Sequence, residues 1–205
     1  SWEGDAYQTV SGQNANLSVR LNNSFMKALE NNELWHLVSR TESKSLEVIP
    51  AADLFETIAR AAWSSADPGL QFSTTINEWH TCSEDGQIRA SNPCSEYLFL
   101  DDTACNLASL NLTKFQKQNG DLNIETFQHA VKLWTIVLDI SIQMAQYPSK
   151  KIAEKTFLYR SLGLGFTNFG SFLMQMGVKY GTKKAAGIAA GISAIMTAEA
   201  YKTSS

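Results

Sequence analysis

Residues 124–146 constrain the fold more than any other segment, because their apolar side chains recur at steps of three and four residues. This spacing places them on one face of a long helix that must bury that face against other elements. The predicted buried face consists of Phe127, Val131, Trp134, Leu138, Ile142 and Ala145. Pro148 follows and ends the helix. The apolar stripe therefore predicts core packing and not a cofactor site.

Shorter apolar segments alternate with other helical patterns along the chain. Strands are predicted over 19–21, 70–72 and 104–112, with a short extended segment near 35–38. Helices are predicted from about 23 and 50, and over roughly 167–178 and 183–202. The glycines of residues 162–166 lack a third glycine at the spacing of a dinucleotide fingerprint, so they indicate close backbone packing. Strands separated by helices predict an α/β architecture.

Composition excludes several classes of protein. The 205 residues are 44% hydrophobic and 18% charged, which is typical of a globular domain in water. A net charge of -3 gives no indication of a nucleic-acid or membrane surface, and no apolar run approaches the roughly 20 residues that span a bilayer. Three cysteines fit a reducing compartment, so we expect a cytoplasmic protein. The chain begins without methionine, and we expect it to be a piece of a longer protein.

The stretch Ser91-Asn92-Pro93-Cys94-Ser95-Glu96 concentrates reactive side chains. Its thiol lies two residues from an amide and two from a carboxylate, and the proline favours a tight turn. Three such groups on one turn can converge on a ligand the size of a sugar. Cys105 follows eleven residues later in the predicted strand 104–112, which could bring a second thiol back towards the first. An isolated cysteine is more often a small buried apolar residue, so spacing alone leaves the chemistry open.

Two other interpretations of the same residues are weaker. His80 and Cys82 suggest a metal site, but a structural zinc site needs about four such ligands and no paired motif accompanies them. We therefore expect polar loop packing there and no metal site. A thiol hydrolase would need a histidine that activates Cys94, and the chain offers only His36, His80 and His129.

The string SNPCSEYLFLDDTACNLASLNL, residues 91–112, closely resembles the active-site finger loop and following strand of ribonucleotide reductase large subunits. The sequence of this string is most similar to that of the adenosylcobalamin-dependent class, class II. The resemblance continues through residues 51–63, 68–72, 76–82 and 162–166. It implies that residues 1–205 are part of a ten-stranded α/β barrel, with a central finger loop at about 91–97.

The resemblance also implies a role for each reactive side chain. Cys94 would hold the thiyl radical that abstracts the 3′-hydrogen of a ribonucleotide. Glu96 would act as general base towards the 3′-hydroxyl, and Asn92 would orient the ribose hydroxyls. Ser91 would join Asn92 and Glu96 in binding substrate. Cys105 would be one of two thiols that supply the reducing electrons and end as a disulfide.

Cofactor and partners follow from the same resemblance. The expected cofactor is adenosylcobalamin, although no residue of this chain indicates its contacts. The expected partners are a ribonucleotide substrate, a nucleotide effector and a thioredoxin-like or glutaredoxin-like reductant, with a homodimer possible. Ser11, Gly12, Gln13 and Asn14 would lie near the end of the loop that links effector and substrate sites.

Several alternatives stay open at this point. The second reducing thiol belongs, in the family, to a strand that precedes this chain, so we expect the isolated 205 residues to be inactive. The iron-dependent class, which takes its radical from a second subunit, is the alternative to cobalamin. A noncatalytic scaffold derived from such an enzyme is the alternative from another functional class. The sequence does not distinguish a diphosphate from a triphosphate substrate.

Overall fold

The computed structural model describes residues 15–205, and the chain divides into two compact units at Asp101 and Asp102. The first unit contains strands β1 (Ser18–Leu21), β2 (Leu34–Val38), β3 (Ser45–Pro50) and β4 (Gly69–Phe72), and helices α1 (Asn23–Glu30), α2 (Ala51–Ser65) and α3 (Ser73–Glu78). The second contains strands β5 (Asn106–Asn111) and β6 (Leu162–Thr167), and helices α4 (Ile124–Met144), α5 (Lys150–Tyr159), α6 (Phe169–Gln175) and α7 (Lys183–Ser204). Short 3₁₀ turns occupy Ser83–Asp85 and Leu112–Phe115.

In the first unit, β1 pairs in parallel with β4, and their register places Arg20 opposite Gln71. The predicted strands 19–21 and 70–72 are thereby confirmed. β2 and β3 form an antiparallel hairpin, of which the sequence predicted only the first strand. A side chain of this parallel pair, that of Gln71, contacts the Ser91–Glu96 stretch.

The core of the first unit forms where α1 and α2 meet. Its buried residues are Leu21, Phe25, Ala28, Ala51 and Ile58. The ring of Phe25 meets Trp35 edge to face, with centroids 5.2 Å apart. Asn22 fixes the start of α1, because its side chain accepts a hydrogen bond from Phe25 N at 2.8 Å. β1 is therefore anchored at its end by a packed helix.

In the second unit, β5 pairs in parallel with β6, and the connection between them runs through α4 and α5. A parallel pair needs such a crossover, and helices supply it here. The core cluster consists of Leu110, Leu112, Phe127, Val131, Phe172 and Ile192. These residues come from β5, its following turn and three helices, so α4 is held against the strand pair.

The long helix is confirmed as α4, with two corrections to its buried face. Ala145 was predicted to be buried but is exposed and lies just after the helix, which ends at Met144. Trp134 was predicted to be buried but is 44% exposed, whereas Thr135 is 6% exposed. The helix turns so that 127, 131, 135, 138 and 142 face the core. Thr135 tolerates this place because its hydroxyl donates to Val131 O at 2.8 Å. The outward face carries Leu133, Val137, Ile140 and Met144, all exposed.

The described residues confirm a mixed α/β protein, in which six strands form three two-stranded sheets. The ten-stranded barrel is not seen within residues 15–205. No helix in this part of the chain is both long and apolar enough to cross a membrane. The predicted effector-loop residues Ser11, Gly12, Gln13 and Asn14 lie outside the described residues.

Candidate active site

Residues 92–95 form the predicted tight turn. Ser95 N donates to Asn92 O at 3.1 Å, and Pro93 and Cys94 occupy the two central positions. Ser95 adopts a left-handed backbone with φ of 63°, which is uncommon for a residue with a side chain. Asn92 Oδ1 accepts a further bond from Tyr97 N at 2.9 Å. The turn is thus closed by both the backbone and the side chain of Asn92.

The turn displays the reactive side chains at its surface. Cys94 and Glu96 are exposed, while Ser91 and Asn92 are half-buried. Asn92 uses its amide oxygen within the turn, so its amino group is the end that remains to bind a ligand. A thiol, an amide donor and a carboxylate therefore share one short loop in the first unit.

The buried side-chain amide of Gln71 forms hydrogen bonds with this turn. Gln71, on β4, is 5% exposed, and its Nε2 donates to Ser91 Oγ at 2.5 Å and Ser95 Oγ at 3.3 Å. Its Oε1 accepts a bond of 2.6 Å from Arg20 Nη1. Arg20 also donates through Nη2 to Ile88 O at 2.9 Å. The strand pair and the loop are linked by one continuous set of hydrogen bonds.

Sequence reasoning missed Arg20 and Gln71 as part of the site. Their side chains meet because β1 and β4 pair in parallel, across 51 residues of sequence. One signal was available: Gln71 is a polar residue flanked by the apolar Leu70 and Phe72 in a segment predicted to be a strand. A polar side chain facing the interior needs a partner, and that partner was not identifiable from local pattern.

Two cavities border the loop within the first unit. A cavity of about 330 Å³ has polar lining from Arg20, Arg89, Ser91 and Asn92. A second, of about 530 Å³, is lined mainly by apolar side chains that include Leu70, Phe72, Trp79 and Phe99. The polar cavity lies on the side of the reactive turn that carries Asn92, so it is the candidate ligand site.

The three histidines have other surroundings. His36 Nδ1 and Ser45 Oγ are 3.2 Å apart on the β2–β3 hairpin. His80 packs edge to face on Phe99, with ring centroids 5.7 Å apart, and its buried Nε2 has no hydrogen-bond partner within the described chain. His129 is an exposed residue of α4 in the second unit. These positions give no support to a histidine-activated thiol hydrolase.

Cys105 lies in the second unit, directly before β5, so the strand begins two residues later than predicted. All three cysteines fall within residues 15–205, and all are thiols there, with Cys105 half-buried. The Sγ of Cys105 lies 3.6 Å from Asn106 O. Cys94 belongs to the first unit and Cys105 to the second.

The segment that leads into Cys105 is fastened to α5. Ala104 N donates to the Oγ1 of Thr156, a buried residue, at 2.9 Å. Two residues earlier, the Asp102 carboxylate lies 2.6 Å from Lys151 Nζ. The hydrogen bond from Lys151 holds the pKa of Asp102 below its usual 3.8, against the opposing effect of desolvation and with help from the charges of Lys151 and Lys155. Both contacts fix the chain just before the thiol.

Gly163 of β6 provides the space beside Cys105. A Cβ at this position would overlap the Leu107 side chain and lie 3.2 Å from Cys105 Sγ. Leu107 is 64% exposed and can turn away, but the half-buried thiol has less freedom. The close packing predicted for the glycines of residues 162–166 is confirmed at this glycine, although the strand itself was not predicted.

Gly163→Ala is therefore expected to displace the Cys105 thiol and to reduce local stability by about 1 kcal/mol. In the full-length protein, amide exchange along β5 and iodoacetamide alkylation of Cys105 should both become faster. Gly165→Ala is the matched control, because the nearest atom to its Cβ would be Ser109 Oγ at an ordinary 3.8 Å. Equal effects of the two substitutions would contradict the packing argument.

Comparison with known proteins identifies the family. The family model for the ribonucleotide reductase barrel domain matches residues 3–205. The chain belongs to this ribonucleotide reductase family.

Among its relatives, the vitamin B12-dependent ribonucleotide reductase of Agrobacterium fabrum is 52% identical over 204 residues, covering 99% of this chain and 16% of that protein. The enzyme of the same name from Streptomyces coelicolor is 46% identical over 98% of the chain and 21% of its own length. A vitamin B12-dependent ribonucleoside-diphosphate reductase of Mycobacterium tuberculosis is 33% identical over 85% of the chain and 25% of its own length. The chain thus spans between about a sixth and a quarter of the length of these curated relatives.

Proposed function

We propose that this chain is part of the catalytic barrel of an adenosylcobalamin-dependent ribonucleotide reductase, an oxidoreductase that converts ribonucleotides to 2′-deoxyribonucleotides. The observation that carries this proposal is the turn at residues 92–95, which presents an exposed thiol with an amide and a carboxylate on either side. The names of the relatives favour the cobalamin-dependent class over the iron-dependent one.

The turn has the groups needed for attack on a ribose. Cys94, as a thiyl radical, takes the hydrogen atom from C3′ and becomes a thiol. It returns that hydrogen atom to C3′ once C2′ has been reduced, which restores the thiyl radical. Glu96, exposed on the same loop, accepts the proton of the 3′-hydroxyl as general base. The amino group of Asn92 donates to the ribose hydroxyls and orients them, and Ser91 lines the same polar cavity. Two arginines on that cavity, Arg20 and Arg89, suit an anionic ligand such as a nucleotide.

Reduction at C2′ requires an electron source within the protein. The 2′-hydroxyl leaves as water, and two thiols supply two electrons and two hydrogens as they become a disulfide. Cys105 is the proposed member of this pair, held before β5 by the Ala104 and Asp102 contacts. Its partner is proposed to lie elsewhere in the longer protein, because the family's loop that matches Cys82 does not carry the redox partner. A thioredoxin-like or glutaredoxin-like reductant then restores the thiols.

The exposure of Cys94 meets one requirement of a reaction with adenosylcobalamin, namely that the thiol can be reached. When bound, adenosylcobalamin supplies the radical equivalent. The group that receives it must be reachable, and the Cys94 thiol is exposed at the tip of its turn. No contact of this chain with the corrin ring is assigned. Nucleotide effector binding near Ser11, Gly12, Gln13 and Asn14, and a homodimeric assembly, remain part of the same proposal.

The deciding experiment is a reduction assay on the full-length protein. With a ribonucleotide, a dithiol reductant and adenosylcobalamin, we expect deoxynucleotide formation that stops when the cofactor is omitted. Activity that requires an iron-containing second subunit instead would assign the iron-dependent class. Nucleotide binding without reduction under either condition would favour the noncatalytic scaffold. The isolated 205-residue chain is expected to give no product, because it contributes only one of the two reducing thiols.

A further inference from the structure

We propose that Gln71 is a positioning residue that holds the turn presenting Cys94. Its consequence for catalysis rests on the proposed function, whereas its effect on the turn does not. Gln71 is distant in sequence from the reactive stretch and has no ordinary role as a core residue, since a buried amide in a strand must be satisfied by hydrogen bonds. The structure satisfies it through two serines of the loop and through Arg20 on the neighbouring strand.

The first argument is the pattern of bonds. The amide oxygen of Gln71 accepts from Arg20, and its amino group donates to both Ser91 and Ser95. Ser91 and Ser95 bracket the turn, and Ser91 Oγ in turn donates to Asn92 O at 2.8 Å. One side chain therefore contacts both ends of the loop that carries Cys94, the proposed radical residue.

The second argument is that Gln71 and the entry to the loop are hydrogen-bonded to the same strand pair. Arg20 and Gln71 are direct partners in the parallel register of β1 and β4. Arg20 and Asn77 both donate to Ile88 O, at 2.9 and 3.2 Å, and Asn77 Oδ1 accepts from Ile88 N at 2.9 Å. Ile88 is buried and lies three residues before Ser91. The entry to the loop is thus fixed to the same strand pair that supports Gln71.

The third argument is that the turn needs support. Ser95 has a left-handed backbone, a conformation that persists in residues other than glycine when surrounding contacts enforce it. Pro93, Cys94 and Glu96 are exposed and supply little packing. The bond from Gln71 to Ser95 Oγ acts on the residue with that backbone. We infer that the amide selects the turn geometry that presents the thiol.

Only an amide can make this set of bonds in full. A glutamine oxygen accepts from the guanidinium, while its nitrogen donates to two hydroxyl groups. Methionine has similar length and fills the same space, but it leaves Arg20, Ser91 and Ser95 without these bonds. Gln71→Met therefore removes the hydrogen bonds while keeping the apolar packing.

The test uses the full-length protein without nucleotide or cofactor. Hydrogen exchange is measured at the amides of Ser95 and Tyr97, both of which bond to Asn92 in the closed turn. In Gln71→Met we expect these amides to exchange about tenfold faster, the scale of a lost buried hydrogen bond, with exchange along α4 unchanged. Thr135→Val, which removes a buried hydrogen bond in α4, is the matched control and should show the opposite pattern.

Combining Gln71→Met with Ser95→Ala distinguishes a positioning role of Gln71 from general destabilisation of the protein. If Gln71 acts through Ser95, this substitution accelerates exchange at Tyr97 in the wild-type background and has little further effect in Gln71→Met. Unchanged exchange in the turn, equal acceleration along α4, or additive effects of the two substitutions would each overturn the proposal.

The catalytic consequence has its own measurement. Once the wild-type protein reduces ribonucleotides, Gln71→Met is expected to lower kcat about tenfold, because the thiol is misplaced. KM is expected to rise as well, because Gln71 and its partners Arg20 and Ser91 also line the polar cavity. A faster-exchanging turn with unchanged kcat would overturn the positioning role. Failure of the wild-type to reduce ribonucleotides would instead refute the proposed function, and the exchange data alone would then decide the role of Gln71 in the turn.

Discussion

Cys94→Ala in the full-length protein is expected to reduce deoxynucleotide formation by at least about 10³-fold, because no other group on the turn can carry the radical. Alanine removes the sulfur but keeps the backbone that closes the turn through Asn92 and Ser95. The polar cavity beside the turn has no lining from the Cys94 side chain. Nucleotide affinity should therefore stay within about twofold of the wild-type value.

The measurement pairs a reduction assay with equilibrium binding of the ribonucleotide. Cys82→Ala is the matched control, since it removes a half-buried thiol from a loop of the same unit and should leave reduction intact. Reduction by Cys94→Ala at more than a few per cent of the wild-type rate would exclude a radical at this position. Loss of both binding and reduction would point to disruption of the loop.

Cys105→Ser should also be severely impaired, with sustained turnover lowered by about 10²-fold or more. A hydroxyl cannot form the disulfide that supplies two electrons, although it fills nearly the same space beside Gly163. The Ala104 and Asp102 contacts with α5 involve no atom of the Cys105 side chain, so the surrounding fold should be kept. Turnover driven by a thioredoxin-like protein is the appropriate measurement.

The controls for this variant distinguish loss of electrons from loss of structure. Amide exchange along β5 should match the wild-type protein, and Cys82→Ser should turn over normally. Mass spectrometry after one round of reaction should find Cys105 in a disulfide in the wild-type protein. Undiminished turnover in Cys105→Ser would remove this cysteine from the reducing pair.

The local sequence pattern predicted much of the secondary structure of the second unit. It failed where tertiary packing decides which residues are buried. The spacing of apolar residues predicted α4, but it assigned Trp134 to the core in place of Thr135. A small hydroxyl residue that bonds to its own helix can occupy the centre of the buried face, whereas a large ring fits at its border. Neither α5 nor the strand formed by residues 162–167 was predicted, since two glycines weaken the strand signal.

The candidate site was likewise predicted only in part. The turn at 92–95 was predicted from Pro93 and its neighbours, and the roles of its side chains came from the resemblance. Gln71 and Arg20 were missed because their contact depends on the pairing of distant strands. Such pairing is set by the whole fold and leaves no mark within a short window of sequence.

The outward face of α4 has a practical consequence for handling this polypeptide. Leu133, Val137, Ile140 and Met144 form a continuous apolar stripe along roughly three turns of the helix. Production of only these 205 residues would leave that stripe in contact with solvent, and exposed stripes of this kind promote self-association at the concentrations used in purification. Polar substitutions along it would improve the yield of the excised chain without touching the reactive loop.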